Sequence, residues 1–356
     1  MPEHSSDTII NLIAVIVAVT DDVPRVLIVD QGHGYAADPA PGEVDPFFGA
    51  THFALPNGPF EPKHDAGLES GLRRWVEAQT GLDLYYVEQL YTFGNRYRDP
   101  AEIDGGPRVV SVAYIALTHE DSVGSADAEW RDWYSFLPWE DWRTGRPPVM
   151  AEHIEPALSR WIRQAQSQSR RKQRAERVNV TFGQSSDSDM DAVLCLERYE
   201  LLYEAGLVAE AVRDQRIADN KSTTPIDVAT LSALTKMSTA MASDHRRILA
   251  TALGRLRGKL AYRPVVFELL PGEFTLLQLQ RVVEALSGAI LHKQNFRRLV
   301  TNADLVEPIG RTSAVGRGRP AELFRFRREV FGEKLTVGVA RPIMRSTERK
   351  SAGYDF

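Results

Sequence analysis

Three groups of side chains have types and spacing suited to recognition or chemistry. In the C-terminal third, Gln294, Arg297, Arg298 and Thr301 recur at i, i+3, i+4 and i+7. On a helix they share one face, opposite the apolar Phe296, Leu299 and Val300. Arginine bonds two-pronged to guanine and glutamine to adenine in the major groove of DNA. Lys293 and Asn295, near the start of that helix, have donors for phosphate or base edges. The bland alternative is a solvated helix face. The second group is Arg96, Arg98 and Arg108, basic residues in an acidic region that are candidates for holding ligand phosphates. Surface pairing with Asp99 or Asp104 is the alternative for them. Arg74 either joins these three or closes a salt bridge onto its own helix, and the rings of Trp75 and Tyr91 could stack on a base, while Phe93 fits a core. The third group is acidic: Asp65, Glu69 and Glu77 could build a metal site on or near one helix.

The elements that must position these groups follow from periodicity. Asn11–Thr20 and Arg25–Asp30 are apolar, Val- and Ile-rich runs around Asp21-Asp22, which predicts a β-hairpin. Residues 31–50 read as a loop. Ala66–Gln79 has helical spacing, with Leu68, Leu72 and Val76 on one face and Gly81 to end it. Val109–Leu117 is strongly β-prone. Residues 143–239 read as a mostly helical insert, with an amphipathic helix around Leu194–Val212 and a flexible loop over Thr181–Asp189. Ser243–Leu260 predicts a helix capped by Ser243, with Ile248, Leu249, Leu253 and Leu256 as its buried stripe. Thr275 and Gln278 fit a capping box, so a helix should run from there to Ser287 and stop at Gly288. A second helix over His292–Ala303, a strand over Leu305–Ile309, a Gly/Arg loop over Gly310–Pro320 and a strand over Glu322–Arg327 complete a winged helix-turn-helix.

Composition narrows the class. A length of 356 residues suggests about two domains. Cys195 is the single cysteine, which excludes an intrachain disulfide and a cysteine-rich zinc site. The longest apolar run, Ile9 to Val19, is shorter than the roughly 20 residues a membrane span needs and lacks a basic flank. A buried strand in a cytoplasmic protein is the expectation. The net charge of −5 conceals a gradient. Residues 1–120 carry 18 acidic and 7 basic side chains, whereas residues 262–345 carry 14 basic and 8 acidic. A basic C-terminal part points to a polyanion.

Two stretches add a resemblance. Leu55 to Leu82 resembles the Nudix box, with Leu55-Pro56-Asn57-Gly58, Arg74, Val76, Gly81 and Leu82 matching, but its carboxylates are missing. Trp75 stands where the motif has the Glu after its arginine, and Ala78 and Gln79 stand where it has paired Glu residues. The first Glu position falls near His64 or Asp65. Nudix hydrolysis needs several carboxylates to hold Mg²⁺ against substrate phosphates. Glu77 sits one residue off a ligand position, about 100° around the helix. Val87–Pro100, Arg108–Tyr114, Glu268–Leu276, Lys293–Arg298 and Gly316–Ala321 together resemble the Nudix-related transcriptional regulators of NAD metabolism, the NrtR-type family, in a long variant.

That resemblance implies an α/β (α+β) fold: a Nudix-like α/β/α sandwich with a helical insert, then a winged helix-turn-helix. The expected boundaries are 1–142 for the sensor domain, 143–239 for the insert, 240–261 for the helix closing the sensor, 262–345 for the winged helix and 346–356 for a tail. Helices opening at Glu152-His153-Ile154 or at Asp244-His245 could each close the sensor, and the second has the family spacing. The implied function is a repressor of NAD-synthesis or salvage genes, not an enzyme, holding no metal or cofactor and taking ADP-ribose or a related nucleotide as effector. Its partners would be a second copy of itself and double-stranded DNA with a palindromic operator. Candidate ligand-binding residues are Arg74, Trp75, Tyr91, Arg96, Arg98 and Arg108. Candidate DNA-binding residues are Thr275, Lys293, Gln294, Asn295, Arg297, Arg298, Arg317, Gly318 and Arg319. Arg317-Gly318-Arg319-Pro320 resembles an AT-hook core, which lays arginines into a narrow minor groove. Alternatives are an active hydrolase using Asp65, Glu69 and Glu77, or a regulator answering to a sugar.

Overall fold

The computed structural model describes residues 8–30, 53–94, 102, 106–120, 127–183, 192–219, 228–260, 265–313 and 320–327. Strands β1 (Thr8–Thr20) and β2 (Val23–Asp30) form the expected hairpin, with Val17 opposite Val26. Both turn residues, Asp21 at φ 50° and Asp22 at φ 64°, are left-handed, as a two-residue turn matching the strand twist requires. Aspartate tolerates that region better than most residues. Next come β3 (Phe53–Ala54), β4 (Asn57–Pro59), α1 (Leu68–Thr80), β5 (Tyr86–Phe93), β6 (Arg108–Leu117) and β7 (Ala128–Asp132). The sheet order is β3-β2-β1-β6-β5, with β4 pairing β1 and β7 pairing β2. Only β1 and β6 run parallel, from Thr8 opposite Arg108 to Val17 opposite Leu117.

The sheet is buried on both faces, which explains why its central strands read as unbroken apolar runs. Leu12, Ala14 and Ile16 face α1 with Leu72 and Val76, whereas Ile13, Val15 and Val17 face the opposite layer. Gly81, at φ 74°, ends α1 by donating its N–H to the Glu77 carbonyl. Phe93 is buried, as its apolar setting suggests.

The opposite layer is α-helical: α2 (Glu155–Arg163), α3 (Gln168–Phe182), α4 (Cys195–Glu204), α5 (Ala209–Ala218), α6 (Val228–Met237) and α7 (His245–Leu260). Helix α7 is buried around most of its circumference, which suits a helix enclosed on all sides. It packs on β1 and β5, on α4 and on the C-terminal helices. The chain rejoins the sheet just before α7: Thr239 N–H donates to Ser135 O at 3.0 Å and Ala242 N–H to Phe53 O at 2.9 Å. Leu55 N–H then donates to Nδ1 of His245, the first residue of α7, at 2.9 Å. Between the two candidate closing helices, it is the one opening on Asp244-His245 that lies against the sheet.

Three sequence expectations need correction. Helix α7 starts at His245, because Ser243 takes a left-handed φ of 45° that places it in the turn before the helix and not at an extended cap. The helix expected around Leu194–Val212 is two helices, α4 and α5, broken at Gly206 with φ 70°. Thr181 and Phe182 belong to α3, and residues 184–189 of the expected flexible loop lie outside the described residues.

The C-terminal unit comprises α8 (Leu276–Ser287), α9 (Lys293–Asn302), β8 (Val306–Ser313) and β9 (Ala321–Phe326). The wing strand β8 runs four residues beyond the expected end at Ile309, because Thr312 and Ser313 pair with Glu322 and Ala321 past an irregularity after Pro308. Phe274 makes an isolated antiparallel bridge to Phe324 beside this two-stranded sheet. The expected tail over 346–356 lies outside the described residues.

One buried ionic node joins all these parts. Glu140 follows the sheet, Arg198 lies on α4 and Arg257 on α7, and all three side chains are inaccessible or nearly so. Arg198 grips Glu140 through Nε–Oε1 at 2.5 Å and Nη2–Oε2 at 2.9 Å. Arg257 Nη1 donates to Oε2 at 2.6 Å. Arg257 also donates to the carbonyls of Glu140 at 3.0 Å and Leu286 at 3.1 Å, the latter near the end of α8. Tyr134 Oη donates to Ala285 O at 2.7 Å, and Trp142 N–H to Gly288 O at 2.7 Å. A helix leaves its last carbonyls without intrahelical partners, and here side chains and backbone of the N-terminal body satisfy them. Burial alone would raise the Glu140 carboxyl, but the two arginines outweigh it and hold it below the ordinary value of 4.5.

Removing the charge of Glu140 leaves two buried guanidiniums without a counter-ion. Glu140→Gln should therefore cost about 3–5 kcal/mol, read as a lower urea midpoint; an unchanged midpoint contradicts the assignment. Because the folded-state value lies below 4.5, this contribution is complete above that pH and is lost as the pH falls further. Urea midpoints from pH 7 to 3 should fall more steeply in the wild type than in Glu140→Gln, which keeps only the losses from other carboxylates with lowered values such as Asp65.

Candidate functional site

The N-terminal candidate site is built on α1 and β4. Asp65, 8% exposed, receives Arg74 in a two-pronged pair, Nε–Oδ1 at 2.8 Å and Nη2–Oδ2 at 3.0 Å. Its Oδ2 also accepts the Glu61 N–H at 2.8 Å. The hydrogen bond from Arg74 is the main cause that holds the Asp65 carboxyl below its ordinary value. Gly71 permits this arrangement, since a Cβ there would lie 2.6 Å from Asp65 Oδ2 and 2.9 Å from Leu12 Cδ1. Glu61 lies 3.4 Å from the same guanidinium. Glu69 is held by Arg73 at 2.8 Å, and Glu77 and Ala78 are exposed. Of the three carboxylates considered for a metal, two therefore already have arginine partners. Among the described residues no group of three or more His, Cys, Asp or Glu is placed to hold a metal ion.

Trp75 is seated on the backbone. Its Nε1 donates to Pro59 O at 2.8 Å, and a Cβ on Gly58 would fall 2.2 Å from the indole Cε2. Arg74 covers the ring with its guanidinium carbon 4.7 Å from the centroid. The sequence reading left open whether Arg74 and Trp75 meet a ligand or the protein; the structure gives each a protein partner. The sequence marks Gln79 only as standing at a missing glutamate; its bonding role was unforeseen. Its Oε1 accepts the Asn57 N–H at 3.0 Å while its Nε2 donates to Asn57 O at 2.8 Å. An amide closes both bonds, whereas a glutamate at that position can close only one and sets its charge against a carbonyl.

Tyr91, 58% exposed, stands edge-on to Phe93 with centroids 5.0 Å apart. Arg108 Nη2 donates to Gly94 O at 2.8 Å across the β5–β6 pair. Among the described residues no hydrogen bond, ion pair or ring contact joins these two to Arg74 or Trp75. Arg96 and Arg98 lie outside the described residues.

The C-terminal candidate site is the exposed face of α9. Phe296 and Val300 are buried beneath it, and Lys293, Gln294, Arg297, Arg298 and Thr301 are exposed. None of the three basic side chains has an ion-pair partner among the described residues. The wing arginines differ: Arg311 pairs with Glu273, Arg325 with Glu307 and Arg327 with Asp304. The site's cations are thus uncommitted on α9 and committed on β8 and β9. His292, unforeseen as a cap, accepts the Asn295 N–H at 3.5 Å. Thr275 caps α8 as expected, with its Oγ1 accepting the Gln278 N–H and the Gln278 Oε1 accepting the Thr275 N–H. Arg317, Gly318 and Arg319 lie outside the described residues.

Residues 266–326 match the NrtR DNA-binding winged helix domain. The C-terminal unit is thus similar to the winged helix domain of that family. Over 86 residues the chain is 37% identical to the "ADPR responsive transcriptional repressor NtrR" of Acinetobacter baylyi, a match that takes in 24% of this chain and 34% of that relative. The chain thus spans about a third of the length of that curated relative. Shewanella oneidensis NrtR in a crystal with a 27mer DNA is 21% identical, with TM-score 0.49 over 89% of this chain and 93% of that one. An Enterococcus faecalis MutT/nudix family protein is 15% identical, with TM-score 0.47 over 92% and 89%. The Nudix domain of Shewanella oneidensis NrtR with ADP ribose is 24% identical, with TM-score 0.30 over 39% and 81%. In the C-terminal unit α9 follows α8 as the second helix of a helix-turn-helix, the position that enters the major groove in such motifs. No described helix is long and apolar enough to cross a membrane.

The seat of Trp75 is testable by a double-mutant cycle. Gly58→Ala should destabilise by about 1–3 kcal/mol through overpacking, and by much less in a Trp75→Ala background, because the indole is what the new methyl meets. Equal costs in both backgrounds contradict the contact. Gln79→Glu should cost about 1–3 kcal/mol with the penalty shrinking as the carboxyl is protonated, measured by thermal melting at pH 7 and 4.

Proposed function

We propose that this chain is a DNA-binding transcription repressor whose Nudix-like N-terminal domain binds ADP-ribose or a related nucleotide without cleaving it. The observation that carries the reading is the bare basic face of α9 on an NrtR-type winged helix. Arg297, Arg298 and Gln294 read base edges there, and Lys293 and Asn295 hold phosphate. A homodimer in the cytoplasm would meet a palindromic operator with two copies of α9.

The absence of turnover is supported by how the box residues are used. Asp65 and Glu69 are neutralised by Arg74 and Arg73. Trp75 and Gln79 stand at ligand positions and bond to backbone. Binding without metal chemistry leaves the nucleotide intact, which is what a reporter of its concentration needs. Arg108 and Tyr91, with Arg96 and Arg98, are the ligand contacts this reading prefers, since Arg74 and Trp75 are engaged elsewhere.

The direct test is binding of the full chain to its own promoter at physiological salt, with and without ADP-ribose. A specific complex whose affinity changes with ADP-ribose is expected; no complex overturns the reading, and a response to sugars alone reassigns the effector. Arg297→Ala and Arg298→Ala should each weaken promoter binding by about 1–3 kcal/mol and barely change binding to unrelated duplex. Incubation with Mg²⁺ and ADP-ribose should release no product, and magnesium-dependent cleavage contradicts the proposal.

A further inference from the structure

A second cationic surface lies in the helical insert, remote in sequence from the winged helix. From Pro156 to Ala175 the chain carries six basic side chains, Arg160, Arg163, Arg170, Arg171, Lys172 and Arg174, and no acidic one, in a protein whose net charge is −5. Helices α2 and α3 meet at an elbow over residues 164–167, and the bonds across it fix where these charges sit. Arg171 Nη2 donates to Arg163 O at 3.3 Å, and Arg174 Nη1 to Trp161 O at 2.6 Å. The Arg174 guanidinium also lies 4.1 Å over the Trp161 ring. Two arginines thus satisfy terminal carbonyls of α2 and lock α3 against it. The other four, Arg160, Arg163, Arg170 and Lys172, are exposed and have no ion-pair partner among the described residues. Ser167 caps α3, adding the positive end of a 15-residue helix at the same elbow.

A helix dense in charge is often only solvated. Here no acid falls among the six cations, Glu155 and Glu176 lying just outside the stretch, and two of the six are fixed by backbone and ring contacts. Helix α3 is also a poor membrane-surface helix, because its apolar Val178 and Phe182 pack inward on the protein core and Val180 is the one exposed large apolar residue on it. A DNA phosphate backbone matches four uncommitted cations on an elbow held by Arg171 and Arg174 and flanked by the polar Gln166, Ser167 and Ser169.

We propose that the α2–α3 elbow binds duplex DNA phosphates without regard to sequence, and extends the contact made by α9. This rests on the DNA-binding reading above. It assigns the insert a share of affinity while α9 keeps the sequence preference.

The test is the salt dependence of binding by the full chain, on its promoter and on an unrelated duplex of equal length. Each phosphate contact contributes about 0.9 to the slope of log K against log salt. Arg160→Ala/Arg163→Ala/Arg170→Ala/Lys172→Ala should lower that slope by about 2–4 on both duplexes and leave their affinity ratio unchanged. The matching set of lysine substitutions should restore the slope for the three arginines. Circular dichroism and melting should match the wild type, since none of the four is paired. An unchanged slope with a folded variant overturns this inference and leaves the α9 reading intact. Loss of binding to phosphatidylserine vesicles with an unchanged DNA slope also overturns it, in favour of a membrane surface. If the wild type binds neither duplex, both proposals fall.

Discussion

The buried grip of Arg198 and Arg257 on Glu140 is the constraint on which the rest of the structure depends. Each of these residues comes from a different stretch of chain, and desolvating two cations and an anion is costly unless every one is satisfied. The carboxylate takes three guanidinium bonds, and the surplus positive charge is met by the carbonyls of Glu140, Thr181 and Leu286. Gly288 records how closely the parts approach: a Cβ there would meet Glu140 O at 2.3 Å and Arg257 Nη2 at 2.6 Å. That glycine is also the left-handed cap of α8 at φ 71°, so one residue both ends the helix and admits the node. The end of α8 is consequently fixed to the body, and α9 follows it through Leu291, whose N–H donates to Glu284 Oε1 at 2.9 Å. A buried charge cluster specifies one docking geometry better than an apolar seam, which tolerates sliding.

For the function proposed above, such rigidity links the N-terminal domain to α9. The face of the sheet opposite α1 shares a continuous apolar core with the helices of the winged helix, from Val15 and Ile115 through Leu253 to Val283 and Phe296. Helix α1 is part of the scaffold. Its arginines neutralise the neighbouring acids, its tryptophan lies on Gly58 and its glutamine holds Asn57, so side-chain positions suited to a metal serve packing and backbone satisfaction.

Much of this was legible in the sequence where a local rule decides. The Asp21-Asp22 hairpin, the Gly81 stop, the Thr275–Gln278 capping box and the exposed face of α9 follow from turn, cap and period rules that need only neighbouring residues. Pairings between distant residues were not legible. Nothing local indicates that Glu140 meets arginines 58 and 117 positions away, that Gln79 clamps Asn57, or that Ser243 takes a left-handed turn in place of a cap. The misreading of Leu194–Val212 as one helix has a simple cause: the apolar period continues across Gly206, and tertiary packing chose to turn there. Arg74 and Trp75 carried two readings because guanidinium and indole serve a ligand or a protein partner equally well, and only the positions of Asp65 and Pro59 distinguish them.

The claim that the node fixes the reading helix to the body can be measured as a distance. Spin labels at Tyr85→Cys, where the side chain is 85% exposed, and at Asn302→Cys report on the body and α9, with labelled chain diluted into unlabelled chain. Cys195 should not interfere, since burial pushes its thiol up to about 12. Pulsed electron-electron resonance should give one narrow distance in the wild type that broadens in Glu140→Gln. A broad distribution in the wild type, or the same narrow one in both, would contradict the account.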